Sequence, residues 1–231
     1  MTTADAKRAA AAAAVEYVDT GMVVGLGTGS TAAMFIEALG DAVEDGLAIT
    51  GVPTSVESEE LARTRSIPLE PLANVGRVDL AVDGADQVTP AGQLIKGGGG
   101  AVLRERLVAA MADRFIIIVD AGKQSEMLDH PVPVVVAPVA RSVVRHRLSA
   151  VGAQPTLRRS KTRVGPTLTD DHAMIIDADF GTIEDPQRCA QAIDAIDGVW
   201  AHGLWPALCD RLIQADASGD VTELSLDDDG Q

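Results

Sequence analysis

Four consecutive glycines mark the part of this chain best suited to chemistry. Lys96 precedes the run Gly97–Gly100, Glu105 follows it, and Asp83 and Asp86 lie upstream. Each glycine gives up more conformational freedom on folding than any other residue, so the run indicates that something approaches this backbone closely. One cation and three carboxylates around it supply a set of groups for general acid/base catalysis.

A helix is predicted directly after the glycines. Apolar residues recur at a spacing of three to four from Ala101 through Leu107 to Met111, which predicts a helix near 101–112. A helix N-terminus that follows a glycine loop presents N–H groups and the positive end of the helix dipole. The segment therefore suits an anion or a developing oxyanion, with Lys96 as a fixed cation and Glu105 as a nearby carboxylate.

A second glycine-containing loop, Gly-Thr-Gly-Ser-Thr at 27–31, follows a predicted strand and opens a predicted helix. It is not a dinucleotide fingerprint, because its glycines are spaced one apart and Ile49–Gly51 stands where an acidic ribose-binding residue would be. The hydroxyls and N–H groups instead suit a phosphate monoester. A plain glycine turn with Ser and Thr as helix caps is the alternative.

Asp83 and Asp86 come just after a predicted strand, where ligands collect in open α/β sheets. As an isolated pair they could also form a turn or bind a divalent ion. Metal is the weaker alternative, because no His or further carboxylate lies nearby and Lys96 would compete for the same charge. The four histidines show no recognisable spacing, and none is predicted to be catalytic.

Composition restricts the partners and the compartment. The net charge of -15 repels nucleic acid and anionic membranes, so neither is predicted as a partner. Abundant Asp and scarce Lys fit a salt-loving source, with an ordinary acidic cytosolic protein as the alternative. Two cysteines without metal-ligand spacing, no signal peptide and no bilayer-spanning apolar run predict a cytoplasmic location.

The elements that must position these residues alternate between helices and strands. Helices are predicted near 4–18, 32–39, 55–64 and 101–112, and strands near 22–26, 48–52, 80–82 and 115–119. This order predicts an α/β domain with a doubly wound parallel sheet. After about residue 129, prolines punctuate a valine-rich strand, and a second, smaller domain is predicted there. It would combine antiparallel strands near 155–159 and 173–178 with helices near 141–151 and 186–195 on one face.

Five motifs in register resemble ribose-5-phosphate isomerases of the A type. They are Gly27–Thr31, Gly51–Ser55, Asp83–Asp86, Lys96–Ala101 and Leu103–Glu105, and the resemblance continues through Asp120–Lys123 to Ile196–Val199. It implies interconversion of D-ribose 5-phosphate and D-ribulose 5-phosphate through an enediol(ate), without metal or organic cofactor. It also implies a homodimer or homotetramer, and a Rossmann-like domain formed by 1–129 with 203–231 that carries a smaller α+β domain at 130–202.

The resemblance also implies roles for single residues. Glu105 would be the base that moves a proton between C2 and C1, and Lys96 would stabilise charge on oxygen. Asp83 would handle a proton during ring opening, and Asp86 would orient hydroxyls or Lys96. The predicted substrate-binding set is Thr28, Gly29, Ser30, Thr31, Asp83, Gly84, Ala85, Asp86, Lys96, Gly97, Gly98, Gly99 and Lys123, to which we add Lys7.

One position departs from the family pattern, and two other functions compete. Gln87 stands where the family often has Glu, which argues against a charged role there. A non-catalytic sugar-phosphate sensor acting in transcription would need a DNA-binding segment, which this acidic chain does not show. An isomerase or lactonase for another sugar phosphate would place a His in the catalytic loop, and none lies near Lys96 or Glu105.

Overall fold

The computed structural model describes residues 2–160, 162, 164–207 and 209–226. The described residues pack into two compact units. The first unit takes its residues from 2–85, 104–124 and 209–226, and the second unit from 86–103 and 125–207. In chain order the elements are α1 (Thr3–Val15), β1 (Val23–Leu26), α2 (Ser30–Glu44), β2 (Thr50–Pro53), α3 (Val56–Thr64), β3 (Leu80–Asp83), β4 (Gln87–Val88), β5 (Leu94–Ile95), α4 (Val102–Met111), β6 (Phe115–Asp120), β7 (Val132–Val136), α5 (Arg141–Ala150), β8 (Gln154–Leu157), β9 (Met174–Asp179), α6 (Pro186–Asp194), β10 (Val199–His202), β11 (Leu204–Trp205), β12 (Arg211–Ala215) and β13 (Val221–Ser225).

The first unit is built on a six-stranded sheet in the order β13-β12-β6-β3-β1-β2. All neighbouring strands run parallel except β13, which pairs antiparallel with β12 at the edge. The predicted parallel sheet is thereby confirmed. Because parallel strands end at the same edge of a sheet, the carboxyl ends of β1, β2, β3 and β6 bring their following loops together.

Helices cover both faces of this sheet. Apolar residues of α1 and α2 pack with alternate strand residues such as Leu26, Val82 and Ile116 in one core. On the opposite face α4 lies so close that a Cβ at Gly25 would be 2.4 Å from Val108. Only glycine leaves room for α4 at this point, so Gly25 helps to set where that helix lies on the sheet.

The second unit contains two antiparallel sheets. One has the order β10-β7-β9-β8, and a short three-stranded sheet has the order β11-β5-β4. On β7, alternate residues Val132, Val134 and Val136 share a core with α5 and α6, while Val135 packs with Val102 on the other side. The helices therefore cover one face of the larger sheet, and the predicted smaller α+β part is confirmed.

Local boundaries differ modestly from the sequence-based expectation. The predicted helix at 32–39 begins at Ser30 and continues to Glu44. The two-residue strands β4, β5 and β11 and the C-terminal strands β12 and β13 were not predicted individually, since the short ones are too brief for a periodic pattern. The domain boundaries at 129 and 203 stay a prediction; packing groups 86–103, 125–129 and 203–207 with the second unit. Among the described residues, none of the helices has both the length and the apolar character that crossing a membrane requires.

Asp79 links β1 to the chain just before β3 and makes the stability of the first unit depend on pH. Its carboxylate accepts a hydrogen bond of 2.7 Å from the Val23 N–H and contacts Arg77, and together these hold its pKa below the usual value. A carboxyl whose pKa is lowered on folding stabilises the folded state above its unfolded pKa. That contribution disappears as the pH falls through the folded pKa.

We therefore expect Asp79→Asn to lower the free energy of unfolding by about 1 kcal/mol at neutral pH, because the charge-assisted part of the bond is lost. The difference from the unsubstituted protein should shrink below pH about 4. Denaturant unfolding measured across this pH range checks the prediction. The exposed Asp19, changed to Asn in the same way, is the matched control. A gap that stays constant with pH would contradict the account.

Candidate active site

Asp83 ends β3 at the carboxyl edge of the parallel sheet and is almost fully buried. Its Oδ1 accepts hydrogen bonds from the N–H groups of Thr28 at 3.1 Å and Gly84 at 2.7 Å. A Cβ at Gly27 would lie 2.3 Å from the same oxygen, so only glycine allows the β1 loop to pass this close. The Gly27–Thr31 loop and the Asp83 loop are thus joined through one carboxylate.

The Thr28 side chain points to two residues that sequence reasoning left out of the site. Its hydroxyl lies 2.7 Å from that of Thr54 and 2.8 Å from that of Ser55. Thr54 and Ser55 are buried and follow β2, so they arrive from the next strand along the sheet edge. The signal that could have identified them was present, because both end the second of the five family motifs.

Lys7 is brought to the Thr28–Thr31 loop from α1. Its Nζ donates to the Ser30 hydroxyl at 2.8 Å and lies 3.9 Å from Oδ2 of Asp120. Gly29 precedes α2 with φ +117, and no side chain caps that helix. The alternative in which Ser and Thr cap the helix is therefore wrong, because the N-cap residue is Gly29 and the Ser30 hydroxyl accepts from Lys7. An uncapped helix N-terminus beside a lysine and hydroxyls is a suitable place for an anion.

Lys123 and Gly84 complete the same sheet edge. Lys123 is half-buried and ends a short turn after β6, in which Asp120 accepts a hydrogen bond of 3.1 Å from the Gly122 N–H. A Cβ at Gly84 would lie 3.8 Å from Cβ of Thr31, so the two substrate loops predicted from the sequence are neighbours. Gly84 and Ala85 are half-buried. Their part in binding stays a prediction.

Glu105 lies in the first turn of α4 and is only 3% exposed. It lines a narrow crevice of the first unit together with Gly27, Asp83, Val108 and other residues of the strands beneath. The close approach of Val108 to Gly25, one turn further along α4, holds this helix against the sheet. Two buried carboxyl groups therefore share one crevice, as expected of a site that moves protons.

Lys96 belongs to the second unit, where it follows β5 and is 2% exposed. The Nζ of Lys96 lies 5.5 Å from the centre of the Trp205 ring. The backbone N–H of Lys96 donates to the Gly203 carbonyl at 2.8 Å. A buried lysine is costly unless favourable contacts stabilise its charge, and an aromatic face supplies one. Sequence reasoning did not find Trp205, which no local pattern connects to Lys96.

The glycine loop itself is held by side chains of the second unit. Oδ2 of Asp86 accepts a hydrogen bond of 2.7 Å from the Gly98 N–H. Nη1 of Arg158 donates to the carbonyl of Gly97 at 3.0 Å and to that of Gly98 at 3.2 Å. The chain turns with φ +99 at Gly97 and φ +86 at Gly100. The contact from Arg158, about sixty residues further along the chain, was not predicted.

The hydrogen bonds of Gln87 explain why an amide stands where the family often has Glu. Gln87 is 4% exposed, and its Oε1 accepts hydrogen bonds from the N–H groups of Asp129 at 2.9 Å and His130 at 3.1 Å. Its Nε2 donates to Oδ1 of Asp129 at 2.7 Å. A carboxylate could not make that donation and would face Asp129 with like charge. Gln87 therefore connects β4 to the loop at 129–130 as a neutral amide.

The described residues contain no cluster of three or more His, Cys, Asp or Glu side chains arranged to hold a metal ion. His202 is fully buried, with Nδ1 accepting from the Leu204 N–H at 3.2 Å and Nε2 3.0 Å from Asp194. These contacts connect His202 to β11 and α6 within the second unit.

The sequence matches that of a known enzyme family. Residues 50–219 match the family model of ribose 5-phosphate isomerase A (phosphoriboisomerase A). The chain belongs to this family. Ribose-5-phosphate isomerase A of Haloarcula marismortui is 48% identical over 93% of each chain, and that of Natronomonas pharaonis is 49% identical over 90% of this chain and 91% of the relative. The acidic composition of this chain, with a net charge of -15, fits these haloarchaeal relatives.

Solved structures of the isomerase A family share the whole architecture. The ribose 5-phosphate isomerase A of Methanocaldococcus jannaschii is 39% identical, with a TM-score of 0.92, over 97% of this chain and 100% of that one. A D-ribose-5-phosphate isomerase in complex with phospho-erythronic acid is 38% identical, with a TM-score of 0.93 and the same coverage. The predicted family and fold are confirmed, and the roles of individual residues stay predictions.

Proposed function

We propose that this protein interconverts D-ribose 5-phosphate and D-ribulose 5-phosphate as an aldose–ketose isomerase. Membership in the isomerase A family supports the reaction. The observation that carries the assignment of the site is that the buried Glu105 and Asp83 line the same narrow crevice, with Asp83 at the carboxyl end of β3. Two carboxyl groups can divide the work of moving protons between carbon and oxygen.

The reaction needs one base at carbon and stabilisation of charge at oxygen. Glu105 takes the proton from C2 of the open aldose, the electrons of that C–H bond form the C1–C2 double bond, and the carbonyl oxygen becomes an enediolate. The ketose forms when the proton returns to C1, the O2 hydroxyl loses its proton to give the C2 carbonyl, and O1 gains a proton. Asp83 handles the proton of the ring oxygen or O1, and Lys96 stabilises the enediolate charge. Asp86 fixes the glycine loop through the Gly98 N–H, which refines the orienting role expected for it.

The phosphate of the substrate is assigned to the Thr28–Thr31 loop. Lys7 beside Ser30, Lys123 in the turn after β6, and the uncapped N-terminus of α2 place positive charge and donors at one edge of the first unit. The relative solved with phospho-erythronic acid offers a probe, because that compound carries a phosphate and a planar carboxylate that resembles an enediolate. We expect it to inhibit this protein.

The proposal extends to the cellular setting. We place the isomerase in the cytoplasm as a homodimer or homotetramer that requires neither a metal nor an organic cofactor. Light scattering coupled to size-exclusion chromatography decides the number of subunits, and cell fractionation decides the compartment.

A direct assay tests the proposed function. The protein is incubated with ribose 5-phosphate in the presence of EDTA, at low and at molar salt, and ribulose 5-phosphate is followed by absorbance. Turnover that persists in EDTA supports the isomerase and its metal-free chemistry. No turnover at any salt, from protein shown to be folded by circular dichroism, would refute the proposal. Parallel incubation with amino-sugar phosphates and sugar-phosphate lactones separates the competing enzymes.

Removing the loop hydroxyls should weaken substrate binding more than catalysis. We expect the double variant Ser30→Ala, Thr31→Ala to raise KM by about tenfold, because hydrogen bonds to a charged phosphate are worth about 1.5 kcal/mol or more. The kcat should change little. Steady-state kinetics checks this, with Ser142→Ala near the start of α5 as the exposed control. An unchanged KM would place the phosphate elsewhere.

A further inference from the structure

The guanidinium of Arg158 holds the glycine loop of the second unit in one orientation. Its Nη1 carries two hydrogens and donates to two successive carbonyls, those of Gly97 at 3.0 Å and Gly98 at 3.2 Å. The other side of the guanidinium faces Asp177, with Nε 2.9 Å from Oδ2 and Nη2 also in contact with Oδ1. The guanidinium thus binds the carboxylate through Nε and Nη2 and the loop through Nη1.

Two carbonyls fixed in this way determine where the adjacent N–H groups point. In a trans peptide the N–H points opposite to the carbonyl of the same plane. The peptide between Gly97 and Gly98 is held at both ends, since its carbonyl meets Arg158 and its N–H meets Asp86 at 2.7 Å. In the next peptide Arg158 holds the Gly98 carbonyl, so the Gly99 N–H points away from the guanidinium.

The Gly99 N–H is the donor that this arrangement makes available. It donates to no residue in the described part of the chain, and Gly99 is exposed. Glycine is required at position 97, where φ is +99 and a Cβ would lie 2.0 Å from Val102, and a Cβ at Gly98 would lie 2.6 Å from the Asp86 carboxylate. The loop therefore has a fixed shape, and an N–H group aimed outward from a fixed loop is a preorganised donor for an anion.

Asp177 keeps the guanidinium in place. It lies in β9, opposite Thr156 of β8, and Arg158 follows directly after β8. The backbone N–H of Arg158 also donates to the Ile175 carbonyl at 2.9 Å, which anchors the backbone of Arg158 to the same sheet. The side chains of Arg158 and Asp177 are 19% and 28% exposed, so their contact is only partly screened by solvent. The sheet of the second unit thereby fixes the position of the glycine loop.

We propose that Arg158, oriented by Asp177, is a positioning residue that aims the Gly99 N–H at the negative charge developing on the substrate oxygen. This inference rests on the proposed isomerase function. Arg158 does not itself touch the substrate; it acts through the two carbonyls that it holds. Because charge on oxygen grows toward the enediolate, the effect belongs to kcat rather than to KM.

Steady-state kinetics on a matched pair of variants tests the inference. Arg158→Gln should lower kcat by about 10- to 100-fold with KM changed by less than about threefold, since small displacements of preorganised groups are costly. Arg158→Lys retains charge without the fork and should recover only part of the loss. Arg159→Gln, at the exposed neighbouring position, is the control and should behave as the unsubstituted enzyme. A folded Arg158→Gln variant with normal kcat, or with only a raised KM, would overturn the inference.

A second measurement does not depend on activity. Amide hydrogen exchange of Gly98, followed by NMR on the full chain without substrate, should accelerate about tenfold or more in Arg158→Gln and Arg158→Lys but not in Arg159→Gln. Unchanged exchange would show that Arg158 does not hold the loop and would overturn the inference even in an active enzyme. Accelerated exchange in a protein that does not convert ribose 5-phosphate would instead refute the proposed function and leave the role of Arg158 in the loop supported.

Discussion

Changing Glu105 to Gln is expected to lower kcat by about 10²-fold or more. The amide keeps nearly the same shape in the buried first turn of α4 but cannot take a proton from carbon. Substrate binding should survive, because the phosphate is assigned to the Thr28–Thr31 loop rather than to this side chain. The KM should therefore stay within about threefold.

Stopped assays with enough enzyme to measure slow turnover provide the test. Glu57→Gln is the matched control, since Glu57 also lies in the first turn of a helix, α3, but is exposed. Glu105→Asp adds a second variant that keeps the acid and shortens its reach, and it should retain more activity than Glu105→Gln. Near-normal turnover of Glu105→Gln would exclude Glu105 as the base and leave Asp83, in the same crevice, as the alternative.

Replacing Lys96 with Met should lower kcat by about 10²- to 10³-fold, comparable to removing one oxyanion-hole donor. The methionine side chain has a similar length and can pack on the Trp205 ring that now lies 5.5 Å from Nζ. The substitution removes a buried charge, so we expect the protein to fold, and circular dichroism and thermal unfolding should establish this before kinetics. The loss of activity would then report the charge.

Lysine is scarce in this chain, and Lys123 offers an informative comparison. Lys123 is half-buried beside the loop assigned to phosphate, so Lys123→Met should raise KM more than it lowers kcat. Lys96→Met should show the opposite pattern. If both variants changed the same kinetic constant by similar factors, the division between a phosphate-binding cation and an oxyanion-stabilising cation would be wrong.

Prediction from the sequence was most accurate where the signals are local. The glycine loop leading into α4, the Thr28–Thr31 loop leading into α2, and the strand before Asp83 could each be placed from turn chemistry and apolar periodicity. Alternation of helices and strands indicated a parallel sheet, and a parallel sheet collects its functional loops at the carboxyl edge. Five motifs in register were enough to identify the family.

Contacts between distant parts of the chain could not be obtained this way. Nothing in the local pattern around Arg158 indicates that its side chain reaches the carbonyls of Gly97 and Gly98. Trp205 beside Lys96 and the pairing of β12 with β6 likewise depend on which segments the folded chain brings together. Lys7 was predicted as a site residue, but its partner Ser30 became known only from the packing of α1.

The sequence by itself therefore determined the family, the kind of fold, the acidic surface and the residues able to do the chemistry, because composition, periodicity and motif spacing are properties of neighbouring residues. Tertiary structure decided how those residues are held. The burial of Glu105 depends on Gly25 admitting α4 to the sheet, and the fixed shape of the glycine loop depends on Arg158 and Asp86. Hydrogen-bond geometry and close packing act between atoms that are near in space, whatever their separation along the chain.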